Sequence, residues 1–390
     1  MSTSCSYKNR ILDEFNSCIN KYRVLIIKFH MDYRDRGYNL MKIIHIIPKE
    51  KFTAGYIDYF KINFPQYDHV FIVIGDYTEF DIVNRENIKF LVNDSELKKK
   101  NNLTLLESAD KIIISGLFHV KYTFAFLPRH IQKKTFIHFW GADYSSYNSC
   151  GASLKKYLGK EITRRCINKC AGIINLIDGE YEEICAIFPN DKLHFVAPML
   201  GSPRKRQDFS KFHSQYDDDI IRITLGNSAT STNRHLDAFE YIKDCLPANY
   251  ILSCPLSYGD NAYRTEVIEK GNEIFGSHFV PITEFMPMDD YIQHLANCDV
   301  GVYFSTRQQG MGNITKMLDL GKTVYILDNT SMWDFFKERG YILRTMKEFK
   351  LEGIRLLTPE EKTINTHPDR INNYLRKAIE LWKEVLEAKV

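Results

Sequence analysis

"FSTRQQGMGNITKMLDLGK", residues 304–322, decides the fold class. It overlaps the end of "CDVGVYF", a continuous apolar run of the kind that fills a buried strand. Downstream, Ile314, Met317 and Leu318 recur at i, i+3 and i+4, the period of a helix. Gly321 stands where that helix should stop, and "TVYIL" reads as the next strand. An arginine, two glutamines and two closely spaced glycines therefore occupy a strand-to-helix loop. In an open α/β sheet, loops at the carboxyl ends of strands form the ligand crevice.

The same alternation extends in both directions. "KIIHII", "HVFIVIG", "IKFLV", "KIIISG", "KTFIHFWG", "AGIINLI" and "LHFVAPM" are short apolar runs in the first half, with helix patterns at "AGYIDYFKINF" and over 154–171. "LGSPRKRQDFSKFHSQYDDD" breaks the pattern and reads as a linker. After it come "IIRITLGNS", a helix over 233–246, "NYILSCPLSYG", and helices at "AYRTEVIEKGNEIFG" and "MDDYIQHLANC" on either side of "HFVPIT". Runs without polar alternation, separated by helices, predict parallel sheets covered on both faces. The expected architecture is α/β: an extension over 1–40, a Rossmann-like domain over 41–205, a linker over 206–219, a second Rossmann-like domain over 220–365, and an amphipathic C-terminal helix over 366–390. Met41 is the expected natural start of the first domain.

A net charge of +3 over 390 residues is too mild for nucleic acid, but suits an anionic ligand or an anionic membrane surface. Twenty-three tyrosines and 25 phenylalanines fit sugar or lipid contact as well as an aromatic core. Nine cysteines without a pairing framework point to a reducing compartment. Cys150, Cys166, Cys170 and Cys185 lack a paired C-x-x-C, and Cys166 and Cys170 fall at i, i+4 on a helix. Buried thiols explain them better than zinc. No apolar run is long enough to span a bilayer and no signal-peptide pattern opens the chain, so a cytoplasmic protein able to rest on a membrane is expected.

Five loops can carry chemistry. In "LGNSATSTNRH", residues 225–235, Gly226 permits a tight turn, Asn227, Ser228 and Thr230 offer short polar groups, and Thr232 is placed to cap the next helix. Such a helix start favours an anion, although an ordinary capped turn has the same pattern. In the opening stretch Arg307 can bond phosphate oxygens, Gln308, Gln309 and Asn313 can read sugar hydroxyls, and Gly310 and Gly312 allow close backbone approach. The pattern is neither a P-loop nor a dinucleotide fingerprint. "PLSYGD" offers Tyr258 to a base. In "IHFWGADY", Trp140 and Gly141 suit sugar stacking and Asp143 suits proton abstraction, with His119 of "SGLFHVKY" a second acid–base candidate. The three aspartates 217–219 read as a solvated turn, and the basic helix "KKYLGKEITRR" as a solvated face able to touch anionic lipid.

"FIHFWGADY", "LGNSATSTNRH", "PLSYGD", "EFMPMDDYIQHLANCDVGVYFSTRQQGMGNI" and "LGKTVYIL" occur in that order. Together they resemble glycosyltransferase family 56, enzymes that add N-acetylfucosamine to lipid II of enterobacterial common antigen. The resemblance runs from Met41 to about Gly340 and is most specific around Arg307 to Asn313. It implies a GT-B fold, two Rossmann-like domains facing across a cleft. It implies a dTDP-sugar donor and a polyprenyl-diphosphate-linked acceptor at the inner face of the bacterial cytoplasmic membrane, with relatives in O-antigen or capsule synthesis using other deoxyamino sugars. On that reading the second half holds the donor through Gly226, Asn227, Ser228, Tyr258, Glu284, Arg307, Gln308, Gln309, Gly310, Gly312 and Asn313, with no cofactor and no metal. The first half takes the acceptor at Trp140 and Gly141, with Asp143 assisting its hydroxyl. Two other readings fit the loops: a soluble sugar-nucleotide enzyme such as an epimerase, and a non-catalytic sugar-binding module.

Overall fold

A computed structural model of the chain describes residues 40–50, 52–75, 87–145, 147, 153–199 and 209–389. The expected extension before residue 40, residues 200–208 and Cys150 lie outside the described residues.

Seven parallel strands form the first sheet: β1 (Lys42–Pro48), β2 (Asp68–Ile74), β3 (Ile88–Leu91), β4 (Lys111–Ser115), β5 (Thr135–His138), β6 (Gly172–Asn175) and β7 (Leu193–Val196), in the order β3-β2-β1-β4-β5-β6-β7. Six form the second: β8 (Ile221–Leu225), β9 (Tyr250–Pro255), β10 (Phe279–Ile282), β11 (Val300–Tyr303), β12 (Thr323–Ile326) and β13 (Arg344–Thr345), in the order β10-β9-β8-β11-β12-β13. In both sheets the strand order reverses beside the first strand, between β1 and β4 and between β8 and β11. These are the positions where a doubly wound sheet opens a crevice.

The apolar runs explain the sheets. In β1, Ile44 and Ile46 join the core on one face while Ile43 and Ile47 join the core on the other. A strand buried on both faces cannot show alternation, so its signal is a run.

The chain's last helix, Pro368–Glu387, returns to the first sheet. Ala378, Trp382, Val385 and Leu386 are buried there with Tyr56, Phe60 and Phe136. Trp382 donates from Nε1 to the Pro198 carbonyl at 3.0 Å. Lys111, at the start of β4, is fully buried. Its ammonium donates to the carbonyls of Val385, Leu386 and Ala388 at 2.6, 2.8 and 2.8 Å, capping that helix's C-terminus with a cation.

Residues 331–365 carry structure that the apolar pattern alone does not announce. Helix Met346–Glu352 begins with a reciprocal Thr345–Glu348 capping box, and Pro359–Asn365 with a Thr358–Glu361 box and proline in its first turn. Both boxes were written in the sequence as Thr-x-x-Glu. Among the described residues, no helix is long and apolar enough to cross a membrane.

Candidate active site

The site grows from the strand ends at the β8/β11 switch. Gly226 follows β8 with φ +75°, and a Cβ there would lie 2.5 Å from His235 Nε2. Only glycine fits, which lets the chain turn sharply over the His235 ring. The expected helix start shifts as a result. A short turn at Ser231–Asn233 intervenes, Arg234 takes a left-handed conformation, and the helix runs His235–Ile242. Thr232 therefore does not cap it, contrary to the sequence reading. Its hydroxyl instead donates to Gln309 Oε1 at 2.6 Å and accepts from Arg307 Nη2 at 3.0 Å.

Those bonds tie the β8 loop to the β11 loop. Gln309 Nε2 also donates to Asn227 Oδ1 at 3.3 Å, and Asn227 Nδ2 donates to the Tyr258 hydroxyl at 3.1 Å in the loop after β9. Gly310, with φ +68°, begins helix Met311–Asp319, and a Cβ there would lie 3.2 Å from Asn227 Oδ1. Three strand-end loops thus converge on one polar network: Tyr258, Asn227, Gln309, Thr232 and Arg307. Two helices of eight and nine residues begin directly after this network's loops, and the start of a helix carries the positive end of its dipole.

The remaining residues expected to bind a donor are placed differently. Ser228 is buried, its hydroxyl 2.9 Å from Thr230 Oγ1, and Asn233 Nδ2 donates to its carbonyl at 2.8 Å. Asn313 donates to the Tyr291 hydroxyl at 2.8 Å. A Cβ on Gly312 would meet only the end of Lys316, so this position opens onto free space. Gln308 and Gly312 both line a cavity of about 720 Å³, whose wall also includes Ile177, Met311 and Phe336. Glu284 lies exposed in the loop after β10.

The first lobe meets this network at Gly141, where a Cβ would lie 2.9 Å from the Gln308 carbonyl oxygen and 3.2 Å from Arg307 Nη1. Trp140 is half-buried between Phe52 and Phe118, at ring-centroid separations of 5.1 and 5.9 Å. Its indole Nε1 has no hydrogen-bond partner among the described residues, nor has either ring nitrogen of His119. Burial lowers His119 to about 4, so its ring is neutral at physiological pH and one nitrogen can accept a hydrogen bond.

Asp143 is buried, and burial raises it to about 7. Its oxygens accept from the Phe118 and Trp140 backbone N–H groups at 2.7 and 2.8 Å, which oppose that shift. The carboxyl therefore splints two strand-end loops while titrating close to neutrality.

Sequence reasoning missed Glu180 and its partner Tyr144. Glu180, raised to about 7 by burial, accepts from the Tyr144 hydroxyl at 2.9 Å and from the Leu176 and Ile177 N–H groups. Burial lowers Arg307 from its ordinary value, and Tyr144 and Glu180 across the lobe boundary oppose the shift. The guanidinium thus lies within the field of a first-lobe acid. In sequence Glu180 reads only as an acid at a helix start. Cys166 and Cys170 are buried thiols, each pushed up to about 12 by burial. Asp218 pairs with Arg222 at 2.7 Å, as befits a surface turn.

Solved structures share this fold. A glycosyltransferase from Rickettsia africae superposes with a TM-score of 0.60 at 13% identity, covering 90% of this chain and 100% of that one. The lipopolysaccharide outer core galactosyltransferase WaaB gives 0.59 at 13%, with 90% and 100% covered. HepE of Anabaena, solved with UDP and glucose, gives 0.59 at 12%, with 89% and 99% covered. Two parallel-sheet lobes meeting at strand-end loops define the class of fold, GT-B. Residues 57–388 match the family described as 4-alpha-L-fucosyltransferase glycosyl transferase group 56. The chain belongs to that family.

Proposed function

We propose that this glycosyltransferase moves a deoxyamino sugar, N-acetylfucosamine or a close relative, from a dTDP-sugar to a polyprenyl-diphosphate-linked saccharide during bacterial surface polysaccharide synthesis. The supporting observation is the convergence of Arg307, Thr232, Gln309, Asn227 and Tyr258 over two helix starts at the β8/β11 switch. A cation, backbone N–H groups and dipole ends suit a diphosphate, and an aromatic ring beside them suits a base. The family description favours a fucose-like sugar, and the UDP complex of HepE favours a nucleotide leaving group.

In this reading Gly226 to Ser228, Arg307 to Gly310, Gly312 and Asn313 receive the donor, with Tyr258 at the nucleotide end and Glu284 at the rim. The acceptor lies against Trp140 and Gly141. Its hydroxyl oxygen bonds the anomeric carbon, the bond from that carbon to the diphosphate breaks, and the nucleoside diphosphate departs. Arg307 and the two helix starts stabilise the negative charge growing on the diphosphate, without reorganisation at the moment of reaction. The hydroxyl proton passes to Asp143, whose raised affinity for a proton suits a base at neutral pH. His119, neutral and without a partner among the described residues, orients the hydroxyl. The reaction takes place at the inner face of the cytoplasmic membrane, where the acceptor is anchored.

The test is nucleoside diphosphate release by the purified full-length chain, given dTDP-N-acetylfucosamine and a lipid-linked acceptor. Release that requires the acceptor supports the reading. Equal turnover with a free sugar acceptor, or no thermal stabilisation by dTDP or UDP, overturns it.

A further inference from the structure

Helix Leu154–Lys169 buries Gly159, Thr163, Cys166 and Ile167 against the first lobe. On its opposite face Leu154, Tyr157 and Leu158 recur at i, i+3 and i+4, and they are 73%, 62% and 51% exposed. A helix in water normally puts charged groups there, so large apolar side chains on the exposed face need a reason. The neighbouring short helix Lys121–Phe124 and the turn after it add Tyr122, 49% exposed, and Phe126, 60% exposed. The two elements are fastened together. Arg165 donates from Nε to the Ala125 carbonyl at 3.0 Å and lies over the Phe126 ring at 4.9 Å, while Cys166 Sγ contacts the Lys121 carbonyl at 3.4 Å. Arg165 is two turns beyond Leu158 on the same face, so it links the two apolar groups into one ridge.

The charge on this helix is mostly positive, and its one acid, Glu161, is paired with Arg164. The helix carries Lys155, Lys156, Lys160, Arg164, Arg165 and Lys169 against a single acid, Glu161, in a chain whose whole net charge is +3. The same surface leads to the proposed acceptor loop, because Phe118, itself exposed, gives its N–H to Asp143 just before Tyr122 in the chain.

We propose that Leu154, Tyr157, Leu158, Tyr122 and Phe126, with the lysines and arginines among them, form a docking face for an anionic lipid bilayer, which holds the Asp143 loop at the membrane surface. Leucine and tyrosine enter the headgroup boundary, and the basic side chains meet the phosphates. An acidic protein groove would match the charge but would not call for apolar side chains that project singly along a basic helix. The purpose of the face rests on the lipid-linked acceptor proposed above, but its existence is testable separately.

The experiment is co-sedimentation of the full chain with vesicles of phosphatidylcholine alone and of phosphatidylcholine mixed with phosphatidylglycerol. Binding is expected only to the mixed vesicles and should weaken as salt rises. The double variant Tyr157→Glu/Leu158→Glu should reduce binding by about tenfold or more, the scale set by losing apolar insertion and adding two repelled charges. Leu351→Glu, at an exposed site in the other lobe, should bind as the natural chain does. A Leu158→Trp variant should shift its fluorescence to the blue on mixed vesicles. Thermal stabilisation by dTDP, measured on every variant, reports folding and the donor site independently. Absence of binding by the natural chain, or equal binding by the double variant, overturns the docking face even if sugar transfer proceeds in detergent. Loss of dTDP stabilisation in the natural chain overturns the transfer reading and leaves the vesicle result standing.

Discussion

Arg307 of the second lobe lies against Gly141 of the first so closely that a single added Cβ would sit 3.2 Å from its Nη1 and 2.9 Å from the next carbonyl oxygen. The second contact is with backbone, which cannot swing aside as a flexible side chain can. Gly141→Ala should therefore push the lobes apart rather than unfold either. Stabilisation by dTDP should persist, because the proposed donor network lies wholly within the second lobe. Transfer should fall by roughly tenfold to a hundredfold, the scale of a misplacement near 1 Å at a reacting centre. Paired measurements of dTDP melting shift and transfer rate check this.

Arg307→Ala tests the electrostatic core of the site. Thr232 and the Gln308 carbonyl hold the guanidinium at 3.0 and 3.1 Å, so its removal deletes a preorganised charge. The melting shift with dTDP should largely vanish, and kcat should drop by about 10²–10³-fold, as for loss of one aimed donor in other enzymes. Thr232→Val leaves the cation present but less well held, and should cost less than Arg307→Ala in the same assay.

Gly226→Ala meets two penalties: a left-handed φ of +75° and a 2.5 Å approach to His235 Nε2. Urea denaturation should show a loss of about 1–3 kcal/mol, with dTDP affinity falling alongside. His235→Ala in the same chain removes the steric part but not the backbone part, so the double variant should recover only a fraction of that loss. Full recovery would contradict the backbone term.

These positions also show what the sequence could reveal. The strands were legible because β1, β4 and β11 are buried on both faces and write themselves as apolar runs ending at small or polar residues. The loops after β8 and β11 were legible because glycines at strand ends mark tight turns. Thr232 was misread because a left-handed Arg234 delays the helix by a few residues, and no local pattern announces that. Lys111 was invisible for another reason. Its carbonyl partners lie 274 to 277 residues away, and only the folded chain brings a helix end over the start of β4. Glu180 likewise owes its character to burial under a tyrosine, which spacing does not encode. Asp143 was legible as a residue, but its grip on the Phe118 and Trp140 N–H groups was not.

Asp143 should give the protein a pH signature. Burial raises it from 3.8 to about 7, so between those values the folded chain holds a proton that the unfolded chain has lost. Its contribution to stability is present at low pH and declines as pH rises toward 7. Asp143→Asn should therefore cost more stability at pH 4.5 than at pH 8, by on the order of 2 kcal/mol in urea denaturation. If Asp143 also takes the acceptor's proton, the transfer rate should climb with pH through about 7, and the Asn variant should lose that limb together with most of its rate. A variant that kept both would leave Asp143 a splint between two loops. His119 and His235, lowered to about 4 by burial, work in the opposite direction. The unfolded chain protonates them below about 6.5 while the folded chain resists, so their contribution falls as pH drops from there toward 4.

The returning helix supplies the last test, because it couples the far end of the chain to the first lobe. Trp382 is fully buried among Tyr56 and Phe60 and donates its indole N–H to Pro198. Trp382→Ala should cost about 3–5 kcal/mol, the range for removing a large buried aromatic. Lys111→Met keeps much of the volume but deletes the cation that satisfies three terminal carbonyls, and should cost about 1–3 kcal/mol. The two residues serve the same docked helix from opposite sides, Lys111 at its C-terminus and Trp382 on its buried face. Once either change undocks the helix, the other has less to lose. The double variant should therefore be less destabilised than the sum of the single ones, by more than about 0.5 kcal/mol. Strict additivity in urea denaturation would mean that the helix end stays in place without its lysine.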